Sequence, residues 1–308
     1  MKILFTGASS FTGFWFVKTL AAAGHELICP VPRDLVDYAD LRLWRVEQLK
    51  SACHFIPQAP FGSENFLKAI RENRFDLLCH HAAAVKNYKS LDFDAARALH
   101  HNTLNLRAVL TAMKPRGLKA VVLTGTVFEP DEGAGDEPLR AFSPYGLSKA
   151  LTFQFFRYYS HEAGLPLGKF VIPNPFGPFE EPRFTAYLMR TWREGKTAEV
   201  ITPDYLRDNI HVDLLAAVYS RFVQRVSEMP DGLAKSNPSG YVGKQGEFAQ
   251  RTAAEVRARL GWACDLKLAR QEDFSEPVNR TNTEPATGLV PDWNESKAWD
   301  AFAEFYAK

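Results

Sequence analysis

The stretch Lys2-Ile3-Leu4-Phe5-Thr6-Gly7-Ala8-Ser9-Ser10-Phe11-Thr12-Gly13 decides the fold. Lys2 to Thr6 reads as a short buried strand, Gly7 permits a tight turn, and Phe14, Val17 and Ala21 then recur at helical spacing up to Gly24. Further along, Glu26 to Cys29, Asp76 to His80, Ala120 to Thr124 and Gly168 to Ile172 also read as strands, with helical stretches between most of them. Parallel neighbours need crossover connections, so this alternation predicts an α/β fold with a doubly wound, parallel, Rossmann-like sheet. Residues 40–75 give no decisive pattern, and no strand is assigned there.

A chain of 308 residues that is 46% hydrophobic can bury a large core, and its net charge of +1 offers no basic surface for nucleic acid or an anionic membrane. Cys29, Cys53, Cys79 and Cys264 are far apart, with no C-x-x-C spacing, and are expected to be reduced. His80-His81 and His100-His101 are adjacent pairs whose side chains diverge, so no metal site is expected. No apolar run approaches the ~18 residues of a membrane span or the core of an export signal, which predicts a cytoplasmic protein.

The turn from Thr6 to Gly13 lies where a dinucleotide pyrophosphate would meet free backbone N–H groups and the positive end of a helix. Gly7 serves the turn and Gly13 the close packing of helix on strand, with Ser9, Ser10 and Phe11 between them. A second pattern follows in Ser143-Pro144-Tyr145-Gly146-Leu147-Ser148-Lys149, a helix start in which Ser143 can cap and Pro144 fits the first turn. Tyr145 and Lys149 then share a face one turn apart, and an ammonium beside a phenol favours the phenolate, making tyrosine a general acid/base. Thr124, closing a strand at its carboxyl end, can hydrogen-bond a substrate oxygen; Thr126 is the competing candidate.

Together these segments resemble the extended short-chain dehydrogenase/reductase family, in its epimerase/dehydratase branch. The first turn is similar to T-G-x-x-G-x-x-G, with Ser10 in place of the middle glycine. A Cβ there could crowd the pyrophosphate, or the hydroxyl could donate to a phosphate oxygen. Leu123-Thr124-Gly125-Thr126-Val127-Phe128 resembles S/T-x-x-V-Y, and Asp76-Leu77-Leu78-Cys79-His80-His81-Ala82-Ala83 resembles D-V-V-I-H-L-A-A. Asn102 matches the asparagine of N-x-x-G-T, with Asn105 in place of the glycine. Pro173-Asn174-Pro175-Phe176-Gly177-Pro178 resembles N-V-Y-G-P, and Arg207-Asp208-Asn209-Ile210-His211-Val212-Asp213 resembles R-D-F-V-H-V-D.

The resemblance implies catalysis by Thr124, Tyr145 and Lys149, and cofactor contacts from the glycine turn, His80, Ala82, Ala83, Asn102, Tyr145 and Lys149. It implies substrate contacts from Thr124, Thr126, Asn174, Arg207 and, more loosely, Arg280. The family's 4,6-dehydratases carry a carboxylic acid where this chain has Thr126, which disfavours dehydration. Its NAD-preferring members place an acidic residue after the second strand, whereas Cys29-Pro30-Val31-Pro32-Arg33 offers a guanidinium suited to a 2′-phosphate. The family's adenine-contacting aspartate, expected near Gln58 to Phe61, is also missing. NADP is therefore expected ahead of NAD.

After Ile172, four prolines (Pro173, Pro175, Pro178, Pro182) and the Pro/Gly-rich run Ser236 to Gly246 suggest crossings between lobes. The dinucleotide-binding domain is expected to hold residues 1–172 and about 205–235, and a smaller C-terminal substrate-binding lobe about 173–204 and 236–308. The acidic loop Glu129 to Glu137 reads as solvated, with a mobile cover as the alternative. The leading expectation is a keto-sugar nucleotide reductase using NADPH. An NAD-dependent nucleotide-sugar epimerase is the alternative, and a non-catalytic dinucleotide sensor stands in another class. A homodimer is compatible with all three.

Overall fold

Ile3 to Thr6 of β1 (Lys2–Thr6) are buried because the strand is covered on both faces, the normal condition of a parallel sheet. The turn at Gly7 leads into α1 (Phe11–Ala22), which buries Phe14, Phe16, Val17 and Leu20, and the chain returns in β2 (Glu26–Pro30). The same alternation continues through α2 (Asp40–Leu49), β3 (His54–Ile56), α3 (Glu64–Glu72) and β4 (Leu77–His80). After α4 (Ala95–Thr103), α5 (Leu106–Met113) and β5 (Ala120–Thr126) comes α6 (Pro144–Glu162). β3 lies in the stretch without a sequence pattern, since three residues are too few to show a period.

The computed structural model describes all 308 residues, grouped into two units. The first unit holds residues 1–132, 140–172 and 216–236. Its sheet runs Leu233–Ser236, Leu167–Ile172, β5, β4, β1, β2, β3, and every pairing is parallel. The chain starts in the middle and winds to both edges, so the order reverses between β1 and β4, the place at whose carboxyl ends sheets of this kind bind ligands. Leu4, Phe66, Leu78, Val109, Val121 and Phe156 belong to the core beneath it.

The second unit holds residues 133–139, 173–215 and 237–308. Leu206–His211 lies between Asn174–Phe176, parallel, and Tyr241–Lys244, antiparallel. These pairings carry residues 205–215 into the second unit, whereas the sequence had suggested the first. Residues 133–139 join it too, because Ala134–Gly135 pairs with Arg280–Thr281. Helices Phe184–Arg193, Gln245–Leu260 and Glu295–Ala307 enclose a core that includes Phe176, Trp192, Phe248, Trp299 and Phe302. No helix of the chain is long and apolar enough to cross a membrane.

Candidate active site

The turn after β1 is built for a close approach. Gly7 sits at φ +86°, and a Cβ on it would come within 2.8 Å of the Ala82 nitrogen; one on Gly13 would meet the Gly7 carbonyl oxygen at 2.1 Å. Ser10 caps α1: its Oγ donates to the Gly7 carbonyl at 2.8 Å and accepts from the Gly13 N–H at 3.1 Å. The hydroxyl hydrogen is thereby used inside the turn, which disfavours the second of the two alternatives, donation to a phosphate oxygen. The Phe11 and Thr12 N–H groups, in the first helical turn, have no intrahelical acceptor and form the cradle an anion would occupy. Phe11 and Ser9 are buried beneath it.

Thr6 Oγ1 accepts from the N–H groups of His81 (3.2 Å) and Ala82 (3.1 Å), so its hydrogen goes to His80 Nδ1 at 3.1 Å. Burial, followed by the nearby Lys149 charge, lowers His80 to about 3. Ala83 is half-buried in the segment that follows. Asn102 braces this segment: its Oδ1 accepts from the Ala84 N–H at 3.0 Å and its Nδ2 donates to Thr152 Oγ1 of α6 at 3.2 Å. Both ends of the amide are engaged, so what Asn102 supplies here is the position of the backbone at Ala84.

Lys149 meets Thr124 through the backbone carbonyl. Lys149 is buried, and its Nζ donates to the Thr124 carbonyl at 2.6 Å. Desolvation lowers the ammonium to about 8, opposed by the charge of Glu129 and reinforced by that of Lys169. Tyr145, partly buried in the first turn of α6, packs edge-on against Tyr88 (5.4 Å) and Phe93 (5.9 Å). Neither aromatic was singled out in the sequence, because an isolated ring in a loop carries no periodic signal. β5 extends two residues beyond Thr124, and Thr126, paired with Ile172, is its last member.

The acidic loop is neither solvated nor a cover at its start. Glu129 and Glu132 are 0% and 4% exposed. Lys169 Nζ reaches both, at 2.5 and 2.8 Å, and Lys235 pairs with Glu132 at 2.5 Å. Glu129 Oε1 also accepts the Thr126 N–H at 2.8 Å. A lysine inside the apolar strand Leu167–Ile172 was the available signal, since a buried ammonium demands partners.

Arg33 is exposed at the end of β2, its guanidinium 5.4 Å over the Tyr38 ring. It borders a cleft of about 600 Å³ together with Asp34, Gln58, Pro60 and Ser63, and Gln58 donates to the Asp34 carboxylate. In the second unit, Asn174 is half-buried and its Nδ2 makes no hydrogen bond, leaving a donor for a ligand. Arg207 is spent structurally: it donates to the carbonyls of Leu206, Pro277 and Val278 and pairs with Glu276 at 3.1 Å. Arg280 is fully buried.

Comparison with known proteins identifies the family. Residues 3–234 match the NAD dependent epimerase/dehydratase family. A UDP-glucose 4-epimerase of Mycolicibacterium smegmatis is 25% identical over 240 residues, 72% of this chain and 72% of that protein. A UDP-glucose-4-epimerase of Stenotrophomonas maltophila, solved with bound NAD and formylated UDP-arabinopyranose, superposes with a TM-score of 0.76 at 16% identity, over 100% of this chain and 98% of that one. A dTDP-glucose 4,6-dehydratase of Streptomyces venezuelae with NAD gives 0.74 at 18% identity, over 100% and 97%. The structural likenesses establish the fold, and the family match covers most of the sequence. The chain is an NAD-dependent enzyme that belongs to the epimerase/dehydratase family.

Proposed function

We propose that this enzyme is a nucleotide-sugar epimerase that inverts a hydroxyl-bearing carbon, with UDP-glucose and UDP-galactose as the first pair to test. The observation that carries the reading is the pairing of Thr124 with the Tyr145/Lys149 helix, while Thr126 stands where the dehydratases of the family carry an acid. A relative named UDP-glucose 4-epimerase supports it. NAD, when bound, supplies reversible hydride transfer at the sugar carbon. The glycine turn fits its pyrophosphate: Gly7 leaves space that a side chain would fill, and the Phe11 and Thr12 N–H groups lie at its edge. Tyr145 takes the hydroxyl proton as the carbon is oxidised and returns it on reduction, and the Lys149 charge favours the phenolate in between. Asn174 is the candidate donor to the substrate's diphosphate.

The test is to incubate the purified protein with UDP-glucose and follow UDP-galactose by NMR, with the protein-bound nucleotide released by acid and identified. Interconversion without net consumption of reduced cofactor, together with NAD in the extract, is expected. A second reading, reduction of a keto-sugar nucleotide with NADPH, is favoured by Arg33 alone, which is exposed and makes no ion pair. Stoichiometric oxidation of NADPH with a keto-sugar, and tighter binding of NADPH than NADH that Arg33→Ala abolishes, would establish it instead.

We also propose a homodimer through α6. Leu147, Leu151, Phe155 and Tyr158 form an exposed stripe at helical spacing, each 38–59% accessible. Sedimentation should show a dimer that Phe155→Glu converts to monomer.

A further inference from the structure

Ser10 departs from the family's middle glycine, and His81 stands where the family's H-L-A-A segment has leucine. The two departures touch: Ser10 Oγ lies 3.1 Å from His81 Nε2, with Thr12 Oγ1 3.0 Å from the same nitrogen. The other ring nitrogen, Nδ1, is 3.0 Å from Thr124 Oγ1. Phe5 stacks on the imidazole at 5.8 Å and Phe16 meets its edge at 5.2 Å, so the ring is held in one plane.

The Ser10 hydrogen points to who donates. Ser10 has one hydroxyl hydrogen and gives it to the Gly7 carbonyl, which can only accept. With that hydrogen used, the contact with His81 is best made by a hydrogen on Nε2, which Thr12 Oγ1, 3.0 Å from the same nitrogen, can accept as well. A neutral imidazole then has a lone pair on Nδ1, and the Thr124 hydroxyl must donate to it. Burial and the neighbouring Lys149 charge lower His81 to about 3, which keeps the ring neutral. His80, the other titratable side chain beside it, is held neutral in the same way. The buried Tyr219 hydroxyl has Cys79 and Thr124 as its polar neighbours; burial keeps it protonated, so it can donate to Thr124 Oγ1 and leave the Thr124 hydrogen on His81 Nδ1.

We propose that His81 is a positioning residue that holds the Thr124 hydrogen on its Nδ1, so that Thr124 meets the reacting oxygen of the substrate only as an acceptor and selects a hydroxyl over a carbonyl. The selection rests on the epimerase reading, in which the enzyme begins and ends on an alcohol. The keto form is then held by the Tyr145 phenol, which has just gained the proton. Ser10 and Thr12 act through His81 by fixing its tautomer.

Two measurements test this. Nitrogen-15 NMR of the histidines, with the His81 signals identified by their loss in His81→Asn, should show the Nε2–H tautomer without titration between about pH 5 and 9. An Nδ1–H tautomer would overturn the proposal without recourse to any variant's fold or activity. Calorimetry should then compare UDP-glucose with its 4-deoxy-4-fluoro analogue, whose fluorine can accept but cannot donate. The native enzyme should prefer the hydroxyl by at least about tenfold, the worth of roughly one hydrogen bond. His81→Asn, whose Oδ1 replaces the Nδ1 acceptor, should keep the preference; His81→Leu, which frees the Thr124 hydrogen, should reduce it to about threefold or less. An unchanged preference in His81→Leu defeats the selection. If neither sugar nucleotide binds, the functional reading and the selection fall together, while the tautomer still tells where the Thr124 hydrogen lies.

Discussion

Tyr145 stands in the first turn of α6 with Tyr88 and Phe93 against its ring, and the Thr124 carbonyl holds the Lys149 ammonium one helical turn on. Tyr145→Phe keeps that packing and removes the proton carrier. Turnover is expected to fall by about 10²–10⁴-fold, while dinucleotide binding, followed by fluorescence titration, survives. Near-full turnover in a folded variant would mean that another group moves the proton. Lys169 makes a different kind of demand on the same strand ends. Lys169→Met strips a buried ammonium from Glu129 and Glu132 and should cost about 3–5 kcal/mol in urea unfolding, because at least one carboxylate is left uncompensated. Adding Glu129→Leu should recover part of that loss; if the double variant is no more stable than the single, the cost has another origin.

At the scale of the element, α6 owes its place to a glycine. A Cβ on Gly146 would lie 2.1 Å from the Phe128 carbonyl oxygen, a backbone atom that cannot swing aside. Alanine is the better helix former by about 1 kcal/mol, yet here the steric conflict is the larger effect. Gly146→Ala should therefore lower stability by about 1–3 kcal/mol and reduce turnover, since α6 carries both Tyr145 and Lys149. A rise in melting temperature would show that helix and loop separate easily. The strand-turn-helix unit of β1 and α1 was legible from period and glycine placement, as were β4 and β5. The three residues of β3 were not, and the course of Leu206–His211 depended on partners remote in sequence.

On the scale of the whole molecule, one buried carboxyl ties stability to pH. Glu180, 3% exposed, accepts from Thr185 Oγ1 at 2.5 Å and the Tyr306 hydroxyl at 2.8 Å through Oε1, while Oε2 has no partner. Burial is the main cause that raises it from 4.5 to about 7. The native state thus holds a proton that the unfolded chain has released across this interval. The stabilisation is complete below about pH 4.5 and is lost as pH rises to about 7, amounting to about 3 kcal/mol. Glu180→Gln should flatten that part of the stability profile, measured by chemical unfolding from pH 5 to 8. A slope identical to the native enzyme's would place the titration elsewhere.

The sequence by itself determined the parallel sheet and singled out the glycine turn and Thr124, Tyr145 and Lys149 as candidates, because each rests on a local period or on a spacing of a few residues. Only the tertiary structure decided what the remaining polar groups do. It joined Ser10, Thr12, His81 and Thr124 through one imidazole, buried Glu129 and Glu132 on Lys169, and spent Arg207 on nearby carbonyls. Hydrogen bonds and ion pairs depend on directions and distances between segments far apart along the chain. Residue spacing carries no record of them until β1, β4 and β5 lie side by side.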